Sequence, residues 1–211
     1  MGITSFYFLV FYGIVLILYY VLPKRWQWGV LLIASIFYYL CSGNAILILY
    51  PVLAVAVSFA GIYWLTKAQK EEARLKERGK DAAKRRKAAL LFVIFANVAV
   101  LFLLKYINFG IHTINAAAAF FGAGRDILSG FNWLVPLGIS YYSLSLIGYV
   151  VDVYFGIAVP QKNPAKLALY GMFFPVMVSG PILRYREDGE QFFEPHLFDY
   201  KQVTQGMQRM L

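Results

Sequence analysis

The sequence predicts an all-α, polytopic transmembrane helical protein. Three observations carry that expectation. Five uncharged runs, each close in length to the hydrocarbon core of a bilayer, punctuate the chain. Ten of the 20 Lys and Arg crowd into one segment, residues 67–87, between two of those runs. Hydrophobic residues make up 60% of the 211, and mean hydropathy is +0.60. A soluble domain carries roughly 45–50% apolar residues, so this chain needs a solvent other than water.

The first run, 3–22, is uncharged throughout. At about 1.5 Å per residue, a helix of this length matches the hydrocarbon core. It reads as a retained span rather than a cleaved leader: MGITSF has no basic n-region, and no small-residue cleavage site follows. Pro23, Lys24 and Arg25 end it. The second run, 26–41, opens with Trp26 and Trp28, residues suited to the headgroup level. Ser42-Gly43-Asn44 reads as a turn. The third run is 45–66, with Pro51 placed to kink it.

Residues 67–87 set ten basic side chains against Glu71, Glu72, Glu77 and Asp81. Opposite charges four apart, Glu72 with Lys76 and Asp81 with Arg85, favour helix, and Gly79 divides it. The segment reads as a solvated cytoplasmic connector. Contact with anionic lipid is the sharper alternative, diluted by the acids. Basic loops collect on the cytoplasmic side, so Lys24, Arg25 and 67–87 share that face and the N-terminus lies outside. A basic cluster between apolar runs reports topology, which removes nucleic acid as a partner despite the net charge of +9.

The fourth run is 88–104. Residues 106–124 are uncharged until the basic-acidic pair that follows, but contain Asn108, His112, Thr113 and Asn115, and are expected to lie at the interface or re-enter. Residues 127–151 form the fifth span. Residues 167–180 are short for a straight crossing and are likewise expected to be interfacial or re-entrant. A membrane domain over 1–183 then gives way to a polar juxtamembrane segment, 184–211. That segment is expected to start a C-terminal half left incomplete here, with an amphipathic helix at its end.

Most chemical motifs fail. Cys41 is the one cysteine, so no intrachain disulfide forms. His112 and His196 lack acidic, nucleophilic or cysteine partners nearby in sequence; the first reads as a packing or interfacial residue, the second as a surface one, and no metal site is expected. GAGRDI (122–127) lacks the third glycine and the preceding strand of a dinucleotide loop, and GISYY (138–142) lacks the closing glycine of a nucleophile elbow.

Three stretches resist a purely structural reading. KYINF (105–109) puts a lysine at the end of a span, where it can snorkel. VPLGISYYSLSLIGYVVDVYFG (135–156) is crowded with hydroxyls. Polar side chains this dense within a membrane face other helices or a wet cavity, so they are either interhelical glue or the wall of a passage. FFPVMVSGPILRYRE (173–187) holds a helix break at Gly180-Pro181 followed by Arg184. Irregular backbone at membrane depth survives only inside protein or beside water, and arginine can hold an anion bidentately. A discontinuous transporter helix has the same appearance, so a polysaccharide or lipid-linked-sugar transporter or flippase is the alternative. A scaffold recruiting a soluble partner through 67–87 is a third reading.

PLGISYYSLSLIGYVVDVYFG (136–156) followed by ALYGMFFPVMVSGPILRY (168–185) resembles the membrane-bound O-acyltransferase family, in its bacterial alginate O-acetyltransferase-like branch. The opening SFYFLVFYGIVLILYYVLPKRWQWGVLLIASIFYYL and LKYINF resemble the same branch, so the likeness covers nearly the whole chain. The resemblance implies a ring of tilted helices around a central passage. There an acyl donor such as acetyl-CoA, a co-substrate rather than a bound cofactor, meets the hydroxyl of an exported polysaccharide or cell-wall polymer, often served through an extracytoplasmic partner protein. It implies that Pro136, Gly138, Ser140 and Tyr142 line the passage, that Gly180 and Pro181 shape its floor, and that Arg184 meets the donor. The histidine base it implies belongs to a later helix, beyond Leu211. No catalytic residue is therefore expected among these 211, and the fragment alone is expected to be inactive.

Overall fold

A computed structural model describes residues 5–42, 44–74, 79–120, 135–177, 180, 182–189, 191–194 and 196–210. Eight helices, α1 Phe6–Val21, α2 Gln27–Ser42, α3 Leu49–Arg74, α4 Gly79–Phe120, α5 Ile139–Tyr154, α6 Pro164–Met172, α7 Phe174–Met177 and α8 Tyr200–Met210, account for most of the described residues, and no strand occurs among them. The chain is all-α.

Local chemistry sets the helix ends. Ser5 caps α1 by accepting from the Phe8 N–H at 3.3 Å, satisfying one of the orphan donors of the first turn. A short turn, Ala45–Ile48, follows the Asn44 cap, and α3 starts only at Leu49. Pro51 therefore falls in the first turn of α3, where its missing N–H breaks no bond, so the kink expected there has no cause.

The α3 helix is the hub and packs against α4, α5 and α6. At Gly61 the two longest helices touch so closely that a Cβ would collide with Val93. Small residues allow this approach where lipid supplies no hydrophobic drive to association. Of the basic connector, 67–74 belong to α3 and 79–87 to α4. Its acids pair across the helices rather than along them: Arg85 meets Glu71 at 3.6 Å and Arg86 meets Glu72 at 3.2 Å. The expected partner Lys76 lies outside the described residues. Arg86 also stacks its guanidinium 4.7 Å from the Tyr154 ring centroid, tying the end of α5 to the same corner.

The α4 helix runs unbroken through Lys105 to Phe120. Residues 106–120 thus continue the fourth run instead of forming a separate helix. With 42 residues it is about 63 Å long, roughly twice the hydrocarbon thickness. Residues 121–134 lie outside the description, and the part of 127–151 that is described as helix begins at Ile139.

Among the described residues, two helices are long and apolar enough to cross a membrane, Ala45–Ala73 and Ala83–Ile107; the shorter Phe6–Val21 is also apolar. Only 28% and 22% of their most apolar windows are buried, whereas the core helix of a water-soluble protein is mostly covered. Large apolar side chains such as Phe95, Phe102 and Trp64 point outward, while Ser35, Ser58, Asn97, Gln27, Ser143 and Ser145 are buried. This polarity, apolar outside and hydrogen-bonding groups inside, suits hydrocarbon rather than water.

Buried polar groups find partners across the helices. Asn97 donates to the Val93 carbonyl at 3.0 Å and reaches Ser58 at 3.5 Å. Ser35 donates to the Leu31 carbonyl at 2.7 Å and accepts from the Phe174 N–H at 3.2 Å. That last bond resolves a break. Pro175 has no N–H for the Gly171 carbonyl, so α6 stops at Met172 and Phe173 turns to φ −58, ψ 112. The segment 167–180 is therefore two helices, not one. Its first irregular backbone lies at Phe173, ahead of the Gly180-Pro181 position that sequence singled out. Ser35→Ala leaves the buried Phe174 N–H without its partner. It is expected to lower unfolding stability in detergent by about 1–3 kcal/mol, and an unchanged denaturation midpoint would show that the break does not depend on this bond.

Candidate functional site

The start of α5 is shaped by Gly138, which takes the left-handed conformation (φ 71, ψ 12) as the residue capping the helix. The helix follows at once, with the Tyr141 and Tyr142 N–H groups donating to the Gly138 carbonyl at 2.9 and 3.1 Å. A Cβ at this position would also collide with the Met177 carbonyl oxygen. The first turn of α5 therefore sits directly on the end of α7, and only glycine allows both the angle and the approach. Pro136 is buried just before it.

Ser140 is half-buried and accepts a hydrogen bond from the Lys105 Nζ at 3.2 Å. Two stretches that resisted a structural reading thus meet, although 35 positions separate them. The ammonium also lies 5.7 Å from the Tyr106 ring centroid. Lysine charge and the positive end of the α5 dipole fall together, which favours a polar or anionic group there.

Tyr142 turns away from Ser140 into a cluster with Tyr39, Leu104, Ile139 and Met177. It is 2% exposed, and its hydroxyl has no hydrogen-bond partner among the described residues. A cavity of about 140 Å³ lies against it between α3, α4 and α5, bordered also by Tyr50, Asn97 and Ser143. The hydroxyl-bearing Tyr142, Ser143, Ser145 and Tyr149 of α5 are all buried. The exposed stripe is Leu144 and Gly148.

The inner half of α5 carries a cluster that sequence reading missed. The Tyr149, Tyr170 and Tyr185 rings pack with centroids 4.1 Å (149 to 185), 5.1 Å (170 to 185) and 6.0 Å (149 to 170) apart. Tyr149 donates to the Val159 carbonyl at 2.9 Å and accepts from the Gln161 N–H at 2.6 Å. Gln161 Nε2 donates to the Tyr185 hydroxyl at 3.0 Å, and Tyr170 donates to the Leu183 carbonyl at 2.7 Å. The alternation of side chains then directs Arg184 outward. Its side chain is 66% exposed and pairs with Glu187 at 3.8 Å, while its N–H donates to Asp188 Oδ2 at 3.4 Å. Gly180 closes a helical turn by donating to the Val176 carbonyl at 2.9 Å. Pro181 lies outside the described residues.

Of the sequence-predicted residues, Pro136, Gly138, Ser140 and Tyr142 gather at the start of α5, beside the α7 end that leads to Gly180. Arg184 belongs instead to the tyrosine corner. His112 is exposed on α4. His196 is exposed but does not want for partners: its Nδ1 hydrogen-bonds the Tyr19 hydroxyl at 2.9 Å, and Gln27 donates to its carbonyl at 2.9 Å and accepts from its N–H at 3.0 Å. A buried glutamine at the head of a span was the available signal. No group of His, Cys, Asp and Glu fit to hold a metal occurs among the described residues.

Gly138→Ala combines left-handed strain with overpacking against α7, and is expected to cost roughly 2–4 kcal/mol. Gly148→Ala faces open space and is expected to be neutral or stabilising by up to about 1 kcal/mol. Equal melting temperatures for the two variants in detergent would contradict this account of the α5–α7 contact.

Comparison with known proteins places relatives along the chain. It is 30% identical over 196 residues to the protein named probable alginate O-acetylase AlgI of Pseudomonas aeruginosa, covering 90% of this chain and 34% of the relative. It is 29% identical over 189 residues to the protein of the same name from Azotobacter vinelandii, covering 90% of this chain and 35% of that one. Over 103 residues it is 37% identical to the namesake of Pseudomonas syringae pv. tomato, 49% of this chain and 20% of the relative. The chain thus spans about a third of the length, or less, of these relatives. No family model and no solved structure matches it.

Proposed function

We propose that residues 1–211 form part of a membrane O-acyltransferase that acetylates hydroxyls of an exported polysaccharide or cell-wall polymer. The observation that carries this reading is the similarity to proteins named as alginate O-acetylases across 90% of the chain. We assign the activity, as we assign the membership in the membrane-bound O-acyltransferase family, to the full-length protein, of which this chain supplies some of the helices of a ring.

Orientation gives α5 a role. With 67–87 on the cytoplasmic side, α4 leads outward and Lys105 lies towards the outer face. The α5 helix then runs inward from Ser140 to Tyr154, which meets Arg86. Ser140 and Tyr149 are separated by about 13 Å along this axis. The Lys105–Ser140 pair stands at the acceptor end, and the tyrosine corner with Arg184 stands at the donor end.

The reaction is acyl transfer. A base removes the proton of the acceptor hydroxyl, the resulting oxygen attacks the acyl carbonyl, and the thiolate of the donor departs. In this reading the imidazole base belongs to a part of the full protein other than residues 1–211. Lys105, oriented by Ser140, holds the polar acceptor near the outer mouth, Pro136 and Gly138 shape the turn beside it, and Tyr142 lines the cavity on the inner side of α5. Gly180 and Pro181 form the floor. The Arg184–Glu187 pair is exposed and long, so it is worth only about 0–1 kcal/mol. An anionic donor group can replace Glu187.

Transfer of labelled acetyl by the full-length protein tests the assignment. Arg184→Ala is expected to raise the KM for the donor about tenfold or more, because a charged hydrogen bond is worth roughly 1.5–3 kcal/mol. Lys105→Met is expected to act on the acceptor KM instead. Unchanged KM for donor and acceptor in both variants would remove these residues from the site.

A further inference from the structure

A second cleft lies apart from the α5 site, between the C-terminal half of α3 and the loop that follows α5. Its volume is about 680 Å³, within the roughly 300–1,000 Å³ of small-ligand sites. Phe59, Ile62, Tyr63, Val159 and Pro160 supply apolar walls. Three ammonium groups, Lys67, Lys70 and Lys162, line it together with Gln161.

Two features distinguish this cleft from an ordinary solvated basic surface. It has no acidic lining residue; Glu71, one turn beyond Lys67, and Glu72 are engaged by Arg85 and Arg86 of α4. None of the three lysines has an ion pair or hydrogen bond among the described residues. Their height is also informative. Lys67 is the first charge after the apolar run 45–66, so the ammonium groups mark the level where hydrocarbon gives way to headgroups, while Phe59 and Ile62 lie one to two turns deeper along α3. The loop carrying Lys162 is held in place by the Tyr149 bonds to Val159 and Gln161, so the third cation is positioned by the fold rather than free to wander.

We propose that this cleft binds an anionic phospholipid of the cytoplasmic leaflet, its phosphate among Lys67, Lys70 and Lys162 and its acyl chain along Phe59, Ile62 and Tyr63. A phosphate needs cations and donors, an acyl chain needs apolar wall, and the cleft offers both in the order a lipid presents them. A soluble phosphorylated compound shares the headgroup chemistry but has no use for the wall below it.

The test uses the full-length protein reconstituted in phosphatidylcholine vesicles, with a trace of spin-labelled phosphatidylglycerol or spin-labelled phosphatidylcholine. The immobilised fraction of each label reports association. Phosphatidylglycerol is expected to be retained over phosphatidylcholine. Each Lys→Gln change is expected to weaken that retention about fivefold, and the triple variant K67Q/K70Q/K162Q should show no preference. The triple Lys→Arg variant should keep it. Equal retention of the two labels by the unmodified protein would overturn the proposal and leave only an apolar groove. Displacement of phosphatidylglycerol by inorganic phosphate or acetyl-CoA would overturn it in favour of a soluble ligand. Should the Gln variant not fold, the comparison of labels and competitors on the unmodified protein decides alone. Acetyl transfer is a separate readout, so failure of this proposal and failure of the acyltransferase reading are distinguishable.

Discussion

A polar group carried into the interior of this chain has no water to turn to, so it has to be satisfied by another part of the protein. That constraint organises the structure. An unmet backbone N–H or C=O in an apolar surrounding costs several kcal/mol. At several described places where the backbone leaves helical geometry, a buried side chain meets it. Ser35 serves the N–H freed at the start of α7. Tyr149 and Tyr170 serve the loops at 159–161 and 183. Gln27 serves His196. These bonds bring segments far apart in sequence to one place, which a uniformly apolar interior could not specify.

The same constraint gives the functional site its form. The α5 helix buries its polar side chains against α3, α4 and α6, and its two ends meet different company. At one end Gly138 lets the first turn rest on Met177 and leaves Ser140 for Lys105. At the other, Tyr149 holds Tyr185, and Arg184 follows outward. The packing of α3 against α4, α5 and α6 keeps these ends apart and fixed. A helix held in this way is suited to separating an outer acceptor from an inner donor.

Much of this was legible in the sequence. Uncharged runs between charge clusters located the helices, since charge is confined to the ends of spans. The hydroxyl-rich stretch 135–156 was recognisable as one that faces other helices. The rest depended on contacts that linear spacing does not carry. Lys105 read as the end of a helix because an ammonium is costly at membrane depth, yet α4 continues past it, and its partner Ser140 lies on another helix. Gly180-Pro181 drew attention as the break, whereas Pro175 had already stopped α6, for the plainer reason that Gly171 loses its donor. His196 looked solitary because Tyr19 is 177 positions away. Two lysines of the cleft, Lys67 and Lys70, were hidden within a basic run diluted by its acids, and the third, Lys162, lies more than 90 positions away; linear spacing does not show that Glu71 and Glu72 are engaged by Arg85 and Arg86.

The central claim is that α5 connects two mouths on opposite faces. Single cysteines at Ser140 and at Arg184, placed in a Cys41→Ser background of the full-length protein, test it with a membrane-impermeant thiol reagent. The account predicts that the cysteine at 140 reacts from the outer face only and the one at 184 from the cytoplasmic face only. Reaction of both from the same face would contradict it.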